Sequence, residues 1–128
     1  MPYRLVSFAL LMLAILVPAR AQGHFFGHDE VGPLTSDGLT ANAKRGSRFT
    51  PSEPGTVTSL CVYLDGHGGA TGNQQFRLAL YSDNAGVPHA KLAETSEHTI
   101  TSGRGPFWYC PSVGYVPVST VPYWIVIH

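Results

Sequence analysis

The sequence predicts an all-β fold, an antiparallel β-sandwich of jelly-roll-like topology. Three observations lead there. Short runs rich in β-branched and aromatic residues alternate between two faces with a period of two. Turn chemistry built on Gly, Pro, Asp and Asn recurs every ten residues or so. No stretch after residue 21 carries a helical period, and the 14 Gly and 10 Pro of the 128 residues oppose long helices.

The elements follow in order. Residues 1–21 have the pattern of a secretory signal peptide. Arg4 supplies the positive start, an apolar run covers 5–17 with only Ser7 interrupting it, and Ala19-Arg20-Ala21 is a small-x-small cleavage signal. As a helix that run spans about 20 Å, short of the ~30 Å hydrocarbon core of a bilayer. The expected product is one domain over 22–128, secreted or periplasmic, with no membrane attachment once the signal is cleaved. Within it, 22–47 is a polar N-terminal segment and 48–128 carries the strands.

The run 56–64 reads as a single strand between Pro54-Gly55 and Asp65-Gly66, with Leu60, Val62 and Leu64 on one face and Ser59, Cys61 and Tyr63 on the other. The next strand is 75–81, with Phe76, Leu78 and Leu80 opposed to Arg77, Ala79 and Tyr81. A turn at 82–88 follows, where Gly86 supplies positive φ and Pro88 is expected to stop the pairing. The stretch 91–101 is a polar or edge strand. Phe107-Trp108-Tyr109, Tyr115–Val118 and Tyr123–Ile127 complete six or seven strands, with Pro111, Pro117 and Pro122 confining them to ends or edges.

Charge excludes one class of partner. Lys+Arg and Asp+Glu are each 8, and loss of Arg4 and Arg20 with the signal leaves the domain mildly acidic. Lys44, Arg45 and Arg48 are the only basic cluster, too small for a nucleic-acid footprint. Cys61 and Cys110 are the two cysteines, and an even count in an exported chain favours a disulfide between them.

Candidate sites are few. The loop 65–73 is rich in Gly, and Asp65 and Asn73 are its weak candidates for calcium. It lacks both the phosphate-loop Lys and the alternating acids of a calcium loop, so a plain connection between strands is the expectation, with no cofactor. His24, His28 and Asp29 form H-x-x-x-H-D, but Gly23 and Gly27 oppose the helix that would converge them. An N-terminal strand is expected there instead. No G-x-S-x-G elbow is present and the acidic residues are scattered over turns, so no enzyme is expected. The aromatics are the one binding signal. Tyr63, Tyr81, Trp108 and Trp124 are the candidate ligand-binding residues, because flat exposed rings can stack on sugars. The competing role of core filler is expected to claim Trp108 and Trp124.

The segments 45–50, 55–60, 62–64, 78–83, 86–88 and 123–126, together with Phe26-Gly27 and Val31-Gly32, resemble the choice-of-anchor type domains of secreted bacterial proteins and related domains of unknown function beside extracellular enzymes and adhesins. The resemblance runs over nearly all of 25–128. It implies a jelly-roll-like, non-catalytic module, carbohydrate-binding-like, and carries over no catalytic residues. Two departures matter. Cys61 and Cys110 stand where such modules have other residues. Those modules also continue past the Tyr-Trp-Ile strand, whereas this sequence ends at His128, so an incomplete sandwich is expected. The resulting expectation is a module that binds an extracellular glycan or a neighbouring secreted protein. The alternatives are a small secreted hydrolase and a truncated fragment without a function of its own.

Overall fold

A computed structural model describes residues 23, 25–28, 30, 42–64, 74–101 and 105–128. The signal segment 1–21 and the loop 65–73 with Asp65 and Asn73 lie outside the described residues, as do His24 and Asp29. No helix occurs among the described residues, and all pairing is antiparallel, as the all-β reading expects.

Ten strands are described: β1 (Arg45–Phe49), β2 (Gly55–Ser59), β3 (Val62–Leu64), β4 (Gln74–Phe76), β5 (Leu78–Asn84), β6 (Val87–Glu94), β7 (His98–Ile100), β8 (Phe107–Tyr109), β9 (Ser112–Val118) and β10 (Tyr123–Ile127). Their pairing is nested. β1 pairs with β10, β2 with β9, β3 with β8, β4 with β7 and β5 with β6. The chain thus makes one long antiparallel excursion whose tip is the Ala85-Gly86 turn. The excursion then rolls up, so that β10 also pairs with β5 and closes a sheet of order β1-β10-β5-β6. This is the jelly-roll-like plan.

The core lies between that sheet and the smaller pairs. Leu78, Leu80 and Tyr123 come from the four-stranded sheet, and Val57, Leu60, Phe76, Ile100 and Val118 from the other layer. The inward face of 76–80 matches the sequence pattern. β10 is paired on both sides, and His128 exchanges backbone bonds with Arg77 at 2.8 and 3.1 Å, so no open edge is left along the final strand.

Several details of the sequence reading change. The run 75–81 is two strands, β4 and β5, parted at Arg77 where the chain changes partners, and 91–101 is divided between the end of β6 and β7 by the corner at 95–97. The run 56–64 is two strands, broken at Leu60-Cys61. Opposite Thr58, β9 carries three residues, 113–115, between the register pairs Val57↔Val116 and Ser59↔Ser112. This bulge, with Gly114 at φ 86°, shifts the phase, so Val57 and Leu60 both point inward despite their spacing of three. Pro88 does not end pairing: it lies within β6 opposite Asp83. β6 is the sheet edge, where a missing N–H is tolerated. The first strand begins at Arg45, inside the segment read as polar. Finally, the described residues of 23–30 form no strand; they are held by side chains instead, Phe26 against Tyr123 and His28 edge-on to Phe49.

Two bonds fix the corners. Cys61 and Cys110 form a disulfide across the β2/β3 break, with Cα atoms 4.1 Å apart, and Leu60 N–H donates to the Pro111 carbonyl beside it. At the other corner the chain passes from β4 to β5, changing partners. There the buried Thr95 hydroxyl accepts from Leu78 N–H at 3.0 Å and donates to the Ser96 carbonyl at 2.8 Å. Thr95 N–H in turn donates to the Leu78 carbonyl.

Two outcomes are expected. The Cys61→Ser/Cys110→Ser variant loses about 2–5 kcal/mol in urea unfolding, because the bridge restrains a long loop of the unfolded chain. Thr95→Val, nearly isosteric, loses about 1–3 kcal/mol by the same measurement, because it leaves the buried Leu78 N–H without its acceptor.

Candidate functional site

A strand of alternating phase shows one set of residues to the core and the other to solvent. In β10 the inward set is Tyr123, Ile125 and Ile127, all part of or packed on the core, so Trp124 and Val126 lie on the opposite face, Trp124 half-buried and Val126 covered by its neighbours. In β5 the inward Leu78 and Leu80 leave Ala79, Tyr81 and Asp83 on the outer face, where Ala79 is fully covered. The register Trp124↔Tyr81 then sets the two rings side by side. Arg48 of β1 stands opposite Trp124, and Lys91 of β6 opposite Tyr81. One row across the sheet therefore reads Arg48, Trp124, Tyr81, Lys91.

The next row is Gly46, Val126, Ala79 and Glu94. Its small members give the rings a low floor. A Cβ at Gly46 would stand 3.0 Å from Val126 Cγ2 and 3.5 Å from Trp124 Cε3, so a side chain there would press on Val126 and the indole. The result is a shallow depression of about 310 Å³ lined by Lys44, Arg45, Gly46, Tyr81, Pro88, Trp124 and Val126.

The indole is not free to turn. Its Nε1–H donates to Asp83 Oδ1 at 2.8 Å. Arg48 Nε reaches the same oxygen at 3.0 Å, and Gly86 N–H donates to Oδ2 at 3.1 Å. Asp83 thereby ties the ring, the guanidinium and the hairpin turn together. Burial pushes the Asp83 carboxyl up, but the bonds from Trp124 and the Gly86 amide and the Arg48 charge together hold it below the usual carboxylate range. Glu94 is a second hub, in contact with Lys91 at 3.1 Å, His128 at 3.0 Å and Arg77 at 3.7 Å. The hydrogen bond from Lys91 leads in lowering its pKa, with His128 adding to it against the opposing effect of burial.

The other predicted pair sits elsewhere. Tyr63 and Trp108 are register partners in β3 and β8, with rings edge to face at 5.5 Å. Their neighbours Val62, Leu64 and Tyr109 pack on the core, so this pair faces away from it. The fold thus gathers the four candidate aromatics into two cross-strand pairs, on different sheets. All four are half-buried and none belongs to the buried core, which corrects the expectation that both tryptophans fill it. Phe76, Leu78 and Leu80 already occupy that space.

No family model, curated protein or solved structure matches the chain. No group of three or more His, Cys, Asp or Glu that could hold a metal occurs among the described residues, and His28 meets Phe49 there. No helix among them is long and apolar enough to cross a membrane.

Sequence reasoning missed Arg48, Asp83, Lys91 and the Gly46-Val126 floor. Part of the signal was present: Asp83 lies two residues from Tyr81, hence on its face. The rest depends on pairing between distant strands, which local patterns do not encode.

The lowered pKa values carry a sign. A carboxylate held below its unfolded value stabilises the fold above the ordinary carboxylate range, and that contribution disappears as pH falls through the folded value. The urea midpoint therefore drops on acidification through and below that range. In a Trp108→Phe background, Trp124 fluorescence shifts in the same window. Both changes shrink in Asp83→Asn, whose amide does not titrate.

Proposed function

We propose that the chain is an exported, non-catalytic module that holds an extracellular glycan against the outer face of its four-stranded sheet. One observation carries this reading: Trp124 and Tyr81 stand in register and line one depression with Gly46 and Val126, and Asp83 fixes the indole. An aromatic face suits the apolar face of a pyranose ring, and a ring already locked in position loses little freedom on binding. A shallow, open depression fits a chain laid across a surface better than a small molecule engulfed in a cavity. The export pattern of residues 1–21 and the Cys61–Cys110 disulfide agree with an oxidising compartment outside the cytoplasm.

Affinity electrophoresis against a panel of neutral and acidic polysaccharides tests the proposal. At least one polysaccharide is expected to retard the protein. Trp124→Ala weakens that retention by about tenfold or more, as expected for the loss of one stacked aromatic, with an unfolding curve that still shows a folded domain. Tyr63→Ala, on the other sheet, leaves it intact. Retardation by no member of the panel would sink the reading.

A further inference from the structure

The row that carries the rings also carries charge at both ends. Arg48 flanks Trp124 on β1 and Lys91 flanks Tyr81 on β6, so aromatic pair and cations form one line across four strands, about 14 Å long. That is the scale of a short oligosaccharide. Each cation already has a carboxylate partner, but the pairs are unequally exposed. The Arg48 side chain is 46% exposed and Asp83 only 11%. Lys91 is 47% exposed and Glu94 23%. Asp83 spends both oxygens on Trp124, Arg48 and Gly86. Arg48 meets it through Nε at 3.0 Å, and close to half of its side chain stays open to solvent. On this outer face the carboxylates are the more covered and the cations the more exposed partners. Lys44 adds another cation at the rim of the depression.

We propose that this face selects an acidic polysaccharide, one whose rings bear carboxylates, with Arg48 and Lys91 binding those groups on either side of the Trp124–Tyr81 pair. The inference rests on the glycan reading and narrows its ligand class. A neutral glycan uses the rings alone. A uronate-bearing chain uses the rings and satisfies the outward N–H groups with charge-assisted bonds.

The test uses the full secreted chain in gels containing polygalacturonate or alginate, and in parallel gels containing a neutral glucan or galactan. Acidic gels are expected to retard it far more than neutral ones, and retardation weakens between about 50 mM and about 500 mM NaCl as screening tightens. Lys91→Gln leaves the Asp83 clamp untouched and weakens acidic retention by about fivefold, the upper end for an exposed ion pair. Arg48→Gln weakens it at least as much, and Lys91→Glu more than Lys91→Gln. Equal retention by neutral and acidic gels, unmoved by Lys91→Gln and by salt, overturns the inference while the glycan reading stands. Retention by neither class removes both.

Discussion

The register of β10 governs the rest of the structure. The strand is paired on both sides, with β1 and with β5, and its two faces do different work. Tyr123, Ile125 and Ile127 face the core, while Trp124 and Val126 lie on the opposite face. A slip of one residue would exchange the two sets, expelling the apolar side chains and driving the indole into space filled by Leu78 and Leu80. The same choice therefore decides both whether the domain folds and whether an aromatic row exists on its surface. Tyr123 adds a local restraint: its hydroxyl accepts from Ser119 N–H at 3.0 Å, which fixes the approach to the strand.

A nested excursion needs corners, and the chemistry of each corner is specific. Near the β2/β3 break the ladder is interrupted by a bulge, and the disulfide joins the strands where backbone pairing thins. Between β4 and β5 the chain turns from one partner to another, and a buried hydroxyl substitutes for the ladder bond that the turn removes. At the tip, Ala85 and Gly86 both take positive φ, 52° and 86°, the pattern of a two-residue turn that matches strand twist. Ala85 is a poor residue for that conformation. Asp83, accepting from Gly86 N–H, is positioned to hold the turn all the same, and this is the carboxylate that holds Trp124. Hairpin geometry and ring orientation are thus coupled through one side chain.

How much was legible in the sequence follows from which forces are local. The period of two placed Leu78 and Leu80 inward because burial of alternate residues is written along one strand, and Phe76 keeps the same phase although it belongs to the preceding strand, β4. Gly86 at positive φ was legible for the same reason. The bulge opposite Thr58 was not, since it arises from a mismatch between two strands far apart in the chain. Pro88 was misread because its tolerance depends on β6 being an edge. The tryptophans were assigned to the core on size alone. The structure fills that volume with Leu, Phe and Val, which leaves the larger rings half-covered, with an indole N–H that needs an acceptor. The sequence offers the four aromatics as one set of candidates; their division into two pairs is a property of the register.

The proposed site gains from being built on strands instead of loops. A cross-strand row inherits the rigidity of the sheet, so its spacing does not depend on a mobile segment. Three of its four members are held by a carboxylate of the same face: Trp124 and Arg48 by Asp83, Lys91 by Glu94. Such pairs add little to stability at an exposed position. Their larger effect is orientation, because a cation already anchored through one donor presents the others in a fixed direction. An extended acidic ligand meeting this row finds its stacking surface and its counter-charges in place. The ordering cost of binding then falls mainly on the ligand, which makes a shallow and open surface sufficient where a floppy one would not be.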